Sequence, residues 1–301
     1  MITNLKKSQD VLRRYYINKD LAFIFGNGIN RYNNDNSSNS WSSLLLDVWD
    51  AISSRTMSVI DKGITMTEFY NIMEFEAKSS QKVRQKTVEI VKSWKPSSYE
   101  KALKNRLIDI DCPVLTTNFD NNIDQGLQRF VMKDNQGFSD YYPWNVYYSN
   151  KRLSNPLDGF GVWHINGVVD YPRSLRLSLS EYINQSSRTR KYIHSDDTLD
   201  NFARKSISNW NGYHTWLHLV FNSNLCIIGL GLDEQETFLR WLLIERMMYF
   251  YNYNERKKKG WYVCCKDDIK DSGKKLFLDY LGFEIICLPN YKSIYEDLLG
   301  I

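Results

Sequence analysis

Four short polar segments follow apolar runs in this chain, and they carry residue types that could bind and cleave a nucleotide. They are GNGIN at 26–30, TTNFD at 116–120, HING at 164–167 and GLGLD at 229–233. The two glycine segments could bring backbone N–H groups close to phosphate oxygens. An asparagine, an aspartate and a histidine could orient a sugar and transfer a proton, because the unperturbed pKa of histidine lies near neutral pH.

Each segment also has an ordinary structural interpretation. A Gly-x-Gly after a strand is often only a tight turn, and here Arg31 replaces the third glycine of the dinucleotide fingerprint. Asn118 could stabilise a turn, and Asp233 could cap a helix. His164 lies in an apolar segment and could be a hydrogen-bonded core histidine. The glycines of GLGLD could serve strand-to-helix packing.

Short apolar runs predict buried strands, and four of the six such runs lead into these segments. The six runs are LAFIFG at 21–26, PVLTTN at 113–118, FGVWHIN at 160–166, LCIIGLG at 225–231, GWYVCCK at 260–266 and FEIICLP at 283–289. Their continuous hydrophobicity favours strands that are covered on both faces. Segments with helical spacing separate them, and strands that alternate with helices predict a parallel sheet with right-handed crossovers.

We therefore predict an α/β fold with a Rossmann-like parallel sheet flanked by helices, in a single domain over residues 1–301. The helical region at about 60–112 is too long for one crossover and is predicted to be an insertion. Strands and a final helix are expected at about 255–301. Ligands of open α/β sheets bind beyond the carboxyl ends of the strands, so the four segments should meet at one crevice. The polar stretch at 33–40 is a candidate lid.

Composition and charge exclude several classes of protein. The net charge of +4 is too small to indicate a nucleic-acid partner, and the basic run at 256–259 is expected to be a solvated loop. The 5 cysteines form no C-x-x-C pair, which predicts neither disulfides nor a zinc site. His214 and His218 could share a helix face, but no third metal ligand accompanies them. The aromatic run at 141–148 is interpreted as loop packing or a partner surface.

Hydropathy bears on location. No apolar stretch approaches the roughly 20 residues of a membrane helix, and the N-terminus lacks the apolar core of a signal peptide. We expect a cytoplasmic protein without membrane contact.

The four segments, in their order and spacing, resemble the sirtuin family, and more closely the sirtuin-like NAD-cleaving effectors of bacterial antiphage defence. GNGIN stands where sirtuins have a Gly-Ala-Gly-Ile-Ser type loop, and TTNFD where they have Thr-Gln-Asn-Ile-Asp. WHINGV at 163–168 carries the histidine, and IGLGLDE at 228–234 is similar to the adenosine-side loop. RSLRLSLSEY at 173–182 and the pattern Trp41-x-x-Leu44-Leu45 are also typical of these effectors.

The resemblance implies a substrate and a set of roles. NAD would be the substrate, with no metal. Asn118 would position the ribose or the attacking water, Asp120 would hold the nicotinamide amide, and His164 would act as general base. The remaining nucleotide-binding residues would be Gly26, Asn27, Gly28, Asn30, Thr117, Gly229, Gly231 and Asp233.

The resemblance further implies an NAD-depleting effector that releases nicotinamide and ADP-ribose. Its activity would be gated, by a sensor or ATPase-type partner or by homo-oligomerisation, because a freely active NADase harms its own cell. The four-cysteine zinc ribbon of sirtuin deacylases is absent, which weakens the deacylase alternative. Asn27, Asn30 and Gly231 also depart from the family pattern. A non-hydrolytic NAD- or ADP-ribose-binding module is the other alternative, and a deacylase or ADP-ribosyltransferase would require a protein acceptor.

Overall fold

The centre of the protein is an eight-stranded sheet, described here from a computed structural model that covers residues 1–33, 39–132, 142–194 and 210–301. The strands are β1 (Leu21–Phe25), β2 (Val114–Thr116), β3 (Gln128–Val131), β4 (Val146–Ser149), β5 (Val162–His164), β6 (Asn224–Ile228), β7 (Gly260–Cys265) and β8 (Phe283–Leu288). Their spatial order is β3-β4-β5-β2-β1-β6-β7-β8. The six strands from β5 to β8 in this order are parallel.

All six predicted strands are present, and the α/β fold with a mostly parallel, helix-flanked sheet is confirmed. Every residue of β1 and of β6 is buried, as their continuous hydrophobicity predicted. Full burial is possible because the two strands lie side by side in the middle of the sheet, with registered pairs such as Phe25 with Ile228.

One edge of the sheet is antiparallel, and the sequence interpretation missed it. β3 pairs antiparallel with β4, and β4 pairs antiparallel with β5. The aromatic run at 141–148, interpreted as a loop, therefore includes most of a buried strand. Its aromatic side chains stack inside the core, with the Tyr147 and Trp163 ring centroids 4.9 Å apart. Tyr141 lies outside the described residues.

Helices flank the sheet. They are α1 (Leu5–Ile17), α2 (Gly28–Arg31), α3 (Trp41–Ile52), α4 (Met66–Ala77), α5 (Ser80–Ser93), α6 (Ser98–Ile110), α7 (Leu179–Ile193), α8 (Leu217–Asn222), α9 (Thr237–Asn252) and α10 (Ser272–Tyr280). Ser40 caps α3, because its side-chain oxygen accepts from the Ser43 backbone N–H. The expected final helix is a short π-helical turn, Ser293–Asp297. No helix among the described residues has the length and hydropathy to cross a membrane.

The buried apolar side chains form two cores. The larger surrounds the sheet and includes α6 through Leu103 and Leu107. The smaller joins α3, α4 and α5 to the segment after β5, with Val48, Phe69 and Val83 among its buried members. Of the helices within the expected insertion at about 60–112, α4 and α5 thus pack with α3, whereas α6 packs on the sheet.

Candidate functional site

A cavity of about 550 Å³ opens where the direction of the strand order reverses. From β1 the chain continues to β2 on one side of the sheet, and it returns later as β6 on the other side of β1. The loops that follow β1 and β6 therefore leave the same edge of the sheet and diverge, which is where open α/β sheets bind ligands. The volume of the cavity falls within the usual range for small-molecule sites.

Most of the predicted site residues line this cavity. Those that do are Asn27, Gly28, Thr117, Asn118, Asp120, Gly229, Gly231 and Asp233. Gly26, Asn30 and His164 do not line the cavity. Each of them is hydrogen-bonded to Asn118, which does line it. The fold thus assembles the four sequence segments at one place, with three of the residues in a layer behind the surface.

The glycines of the first loop are needed for packing against the β6 loop. The Gly26 N–H donates to the carbonyl of Ile228 over 3.1 Å, and the Gly28 N–H donates to the carbonyl of Gly229 over 2.8 Å. A Cβ on Gly26 would lie 2.6 Å from the Gly229 oxygen, and one on Gly28 would lie 2.7 Å from the Gly229 Cα. These two amides are therefore engaged within the protein, although the sequence assigned them to pyrophosphate.

Asn27, which the family pattern leaves unexplained, has a clear structural partner. Its side-chain N–H donates to the backbone carbonyl of Asn39, just before α3. This contact joins the end of β1 to the start of the smaller helical core across the predicted lid. Residues 34–38 of that lid lie outside the described residues.

A buried hydrogen-bond network fixes the TTNFD segment. Asn118 donates through Nδ2 to the carbonyl of Gly26 and to Oδ1 of Asn30, each over 3.4 Å. Asn30 in turn donates to Oδ2 of Asp120 over 2.6 Å, and the Asn122 backbone N–H donates to Oδ1 of the same carboxylate over 3.0 Å. The Asn30 side chain accepts from Asn118 and donates to Asp120 at the same time. The shorter serine of the family pattern could not span the same distance.

Burial raises the pKa of Asp120, against the lowering effect of its hydrogen bonds from Asn122 and Asn30. A carboxyl group with a raised pKa at a cavity wall is the kind of group that active sites use in proton transfer.

Thr117 contributes its backbone to the same wall. Its N–H donates to the carbonyl of Phe25, and its own carbonyl accepts from the side chain of Asn166.

His164 lies behind Asn118 and is almost completely buried. Its Nδ1 is 3.0 Å from the backbone carbonyl of Asn118, and its Nε2 is 3.6 Å from Oδ2 of Asp124. A carbonyl oxygen only accepts, so Nδ1 carries the hydrogen, and a neutral ring would then point its Nε2 lone pair at a carboxylate. Although burial opposes the charged form, Asp124 and the Asn118 carbonyl raise the pKa of His164.

Asp124 was missed by the sequence interpretation. It is buried, and it accepts from Asn121 through the same oxygen that faces His164. The available signal was the spacing of acids in NFDNNID at 118–124, where a second aspartate follows Asp120 by four residues. Its pairing with a histidine about 40 residues away along the chain becomes visible only when β2 and β5 are neighbours.

Another part of the cavity lining comes from β7 and from the residues that follow it. The Tyr262 hydroxyl donates to the carbonyls of Leu230 and Gly231, and Lys274 also donates to Gly231. The backbone carbonyl of Gly231 therefore accepts hydrogen bonds from two side chains of this part of the lining. Asp268 accepts from the backbone N–H of Cys265 over 3.0 Å, and it lines the cavity beside Lys274.

Asp233 does not cap α9, contrary to one sequence interpretation. The helix begins at Thr237, and Asp233 instead accepts the backbone N–H of Gln235 over 3.0 Å in a turn before it. The reason is that three residues, 234–236, separate Asp233 from the first residue of the helix. Burial and the neighbouring Asp233 raise the pKa of Glu236, another acid of the lining, to about 7.

Part of the cavity lining is aromatic and belongs to the smaller helical core. Trp41, Trp94 and Phe119 line the cavity and pack against that core. Trp41 and Phe119 are in direct contact, with ring centroids 5.4 Å apart. Flat aromatic faces of this kind suit a planar ring of a ligand.

Groups of side chains that could hold a metal ion do not occur among the described residues. His218 is used structurally, since its Nδ1 accepts from Trp210 over 3.2 Å and from Asn222 over 3.0 Å. Burial lowers its pKa to about 4.

In comparisons with known proteins, no protein-family model and no curated protein sequence matches this chain. The resemblance to sirtuin-like effectors accordingly rests on the sequence segments alone.

Proposed function

We propose that the protein binds NAD in this cavity and hydrolyses its nicotinamide–ribose bond, releasing nicotinamide and ADP-ribose. One observation carries the proposal: Asn118 and Asp120 line the same cavity as the loops after β1 and β6, at the reversal point of the sheet. Two polar side chains suited to sugar chemistry thus lie where open α/β sheets bind ligands, which supports the proposal.

The shape of the lining suits a long ligand with two different ends. The aromatic end, with Trp41 and Phe119, lies near Asn118 and suits the nicotinamide ring. The end beyond β7, with Tyr262 and Asp268, is then left for the adenosine. The glycine loops at 26–28 and 229–231 would lie along the middle of the dinucleotide.

The chemistry requires positioning more than strong nucleophiles. As the C–N bond breaks, its electron pair leaves with nicotinamide and positive charge develops on the ribose, so orientation and nearby negative charge stabilise the transition state. In this proposal Asn118 orients the ribose or the water, and Asp120 holds the nicotinamide amide. Water adds to the ribose carbon, and one of its protons is taken by a base.

His164 is that base in the proposal, and its surroundings define what it would have to do. In this structure its Nδ1 carries a hydrogen toward the Asn118 carbonyl. To act as base, the ring must hold its hydrogen on Nε2, which faces Asp124, and Nδ1 must exchange the carbonyl for a ribose hydroxyl or water. Catalytic hydrogen bonds often form only when substrate is bound. If His164 never leaves this contact, it acts instead by holding the Asn118 backbone in place.

By resemblance, we further propose that the enzyme is a cytoplasmic effector of antiphage defence that depletes NAD. Because unrestrained NAD cleavage harms the cell, the proposal includes a gate: a sensor or ATPase-type partner, or assembly of several copies of this chain. Neither nucleic acid nor a membrane is part of it.

The test is nicotinamide release from NAD by the purified protein, alone and together with the products of neighbouring genes. Asn118→Ala and His164→Ala should each lower the rate by at least about 100-fold, the usual loss for a positioning or acid–base residue. Asn254→Ala is the matched control, because Asn254 is exposed and does not line the cavity. Release that persists in both site variants would refute the site.

Two further outcomes separate the alternatives. A protein that binds NAD or ADP-ribose but releases no nicotinamide under any condition is a binding module. Release that requires an acylated peptide indicates a deacylase.

A further inference from the structure

Arg31 lines the cavity at the position where the dinucleotide fingerprint would have its third glycine. It is the last residue of α2, and its side chain is exposed. Among the described residues it has neither an ion pair nor a side-chain hydrogen bond. A guanidinium with five unused donors at a cavity wall is available to a ligand.

The surroundings of Arg31 place it beside the two glycine loops. Burial raises the pKa of both Tyr291 and Tyr295, and the positive charge of Arg31 acts on both hydroxyls in the opposite direction. The Tyr295 hydroxyl lies against the glycine loops, 2.2 Å from the position that a Cβ on Gly28 would take. Arg31, three residues after Gly28 on α2, therefore lies on the cavity wall near the place where the β1 and β6 loops meet.

The backbone offers little to a phosphate at this point. The N–H groups of Gly26 and Gly28 donate to carbonyls at the end of β6, and that of Asn30 donates to Asn27. In addition, α2 has only four residues, so it lacks the dipole of a long helix. The glycine amides of the first loop thus donate within the protein and not to a ligand.

The cavity is also acidic, which makes a free cation decisive for an anionic ligand. Four carboxyl groups line it, those of Asp120, Asp233, Glu236 and Asp268. The other lining cation, Lys274, already donates to the carbonyls of Gly231 and Asp268. Arg31 is the lining cation that has no such partner among the described residues.

We propose that Arg31 binds the diphosphate of the ligand, in place of the glycine amides that do so in the common fingerprint. Arginine suits this role because its planar fork donates two parallel hydrogen bonds to phosphate oxygens. The inference rests on the proposed function for the position of the dinucleotide. It adds that recognition in this cavity requires a diphosphate, so ADP and ADP-ribose bind whereas adenosine binds weakly.

The test compares ligands with and without phosphates by calorimetry, using ADP-ribose, ADP and adenosine. Arg31→Ala should weaken ADP and ADP-ribose by roughly 10- to 100-fold, the effect of losing hydrogen bonds to a charged group, and leave adenosine unchanged. Arg31→Lys should recover part of the loss, because lysine keeps the charge but not the fork. The matched control is Arg13→Ala, because Arg13 is exposed on α1 and does not line the cavity.

Several results would overturn the assignment. These are equal ADP affinity in the wild-type protein and Arg31→Ala, an equal loss for adenosine, or a wild-type protein that binds neither ADP nor ADP-ribose. Binding does not depend on cleavage, so the two proposals fail separately. A protein that binds ADP through Arg31 but never cleaves NAD retains this inference and loses the proposed function.

Discussion

Nε2 of His164 lies 3.6 Å from Oδ2 of Asp124, and both side chains are almost completely buried. The separation is too long for a good hydrogen bond but short enough for strong attraction between opposite charges. The other ring nitrogen is bound to the Asn118 carbonyl, so the histidine links the buried aspartate to the cavity wall. Asp120 and the ring of Tyr148 also face it, at the wall and on β4 respectively.

Replacing Asp124 with asparagine should lower the pKa of His164. The carboxylate raises that pKa against the effect of burial, and the amide removes the charge with little change of shape. Titration of the histidine ring by NMR measures the shift. Asp10→Asn, an exposed change on α1, is the control and should leave His164 unaffected. An unchanged His164 titration in Asp124→Asn would show that the two side chains are not coupled.

The Asp124→Asn variant should also lose stability by an amount that depends on pH. A histidine whose folded pKa exceeds its unfolded value of 6.5 stabilises the fold fully below that value, and the contribution disappears as pH rises through the folded pKa. Asp124→Asn should therefore cost more free energy of unfolding at about pH 6 than at about pH 9. Urea unfolding at both pH values measures this, and equal losses would contradict it.

Glu100→Gln should stabilise the protein above neutral pH. Glu100 is fully buried on α6, where burial raises its pKa from 4.5 to about 7 and the hydrogen bond from Ser97 only partly offsets this. A raised carboxyl pKa costs stability as pH rises from 4.5 to about 7, because the unfolded chain loses its proton first. The variant should gain roughly 1 to 3 kcal/mol at about pH 8 and nearly nothing at about pH 4.5.

The denaturant midpoint at each pH is the measurement for Glu100→Gln. Glutamine retains an oxygen that can accept from the Ser97 N–H, a bond of 2.7 Å in this structure. The exposed change Glu89→Gln on α5 is the matched control. A loss of stability at about pH 8 would mean that the charged form of Glu100 has a partner that the hydrogen bonds do not reveal.

Gly26→Ala distinguishes packing from ligand binding at the first loop. The added Cβ would lie 2.6 Å from the Gly229 oxygen and 2.7 Å from the Leu230 Cα, so the two loops must separate. Overpacking of this kind costs about 1 to 3 kcal/mol. Gly273→Ala is the control, because nothing lies within 4 Å of its added Cβ. Thermal and urea unfolding that match the wild type, together with lost nucleotide binding, would favour the ligand explanation instead.

Arg246→Ala should destabilise the fold without altering the cavity. Arg246 is buried on α9, and it donates to the carbonyls of Val220, Ser223 and Lys259. Alanine leaves these oxygens without a donor, at a cost of about 3 kcal/mol or more. Urea unfolding measures the loss, with the exposed Arg14→Ala as control. Unchanged stability in Arg246→Ala would show that the carbonyls find other donors.

The sequence by itself determined the elements whose signals are local. The continuous apolar runs LAFIFG and LCIIGLG predicted buried parallel strands, because a strand covered on both faces hides apolar side chains at every position. Ser40 could be predicted as a helix cap because its side chain bonds a backbone N–H only three residues away. The convergence of the four polar segments followed from parallel strands, whose carboxyl ends share one edge.

Only the tertiary structure decided relationships between distant segments. The pairing of β3 with β4 and the approach of Asp124 to His164 depend on which strands become neighbours, and a local pattern does not encode that. The loop glycines are the clearest case. The sequence Gly-x-Gly is the same whether its amides face a phosphate or another loop of the protein. Here they face the carbonyls that end β6, which leaves Arg31 as the unpaired lining cation among the described residues.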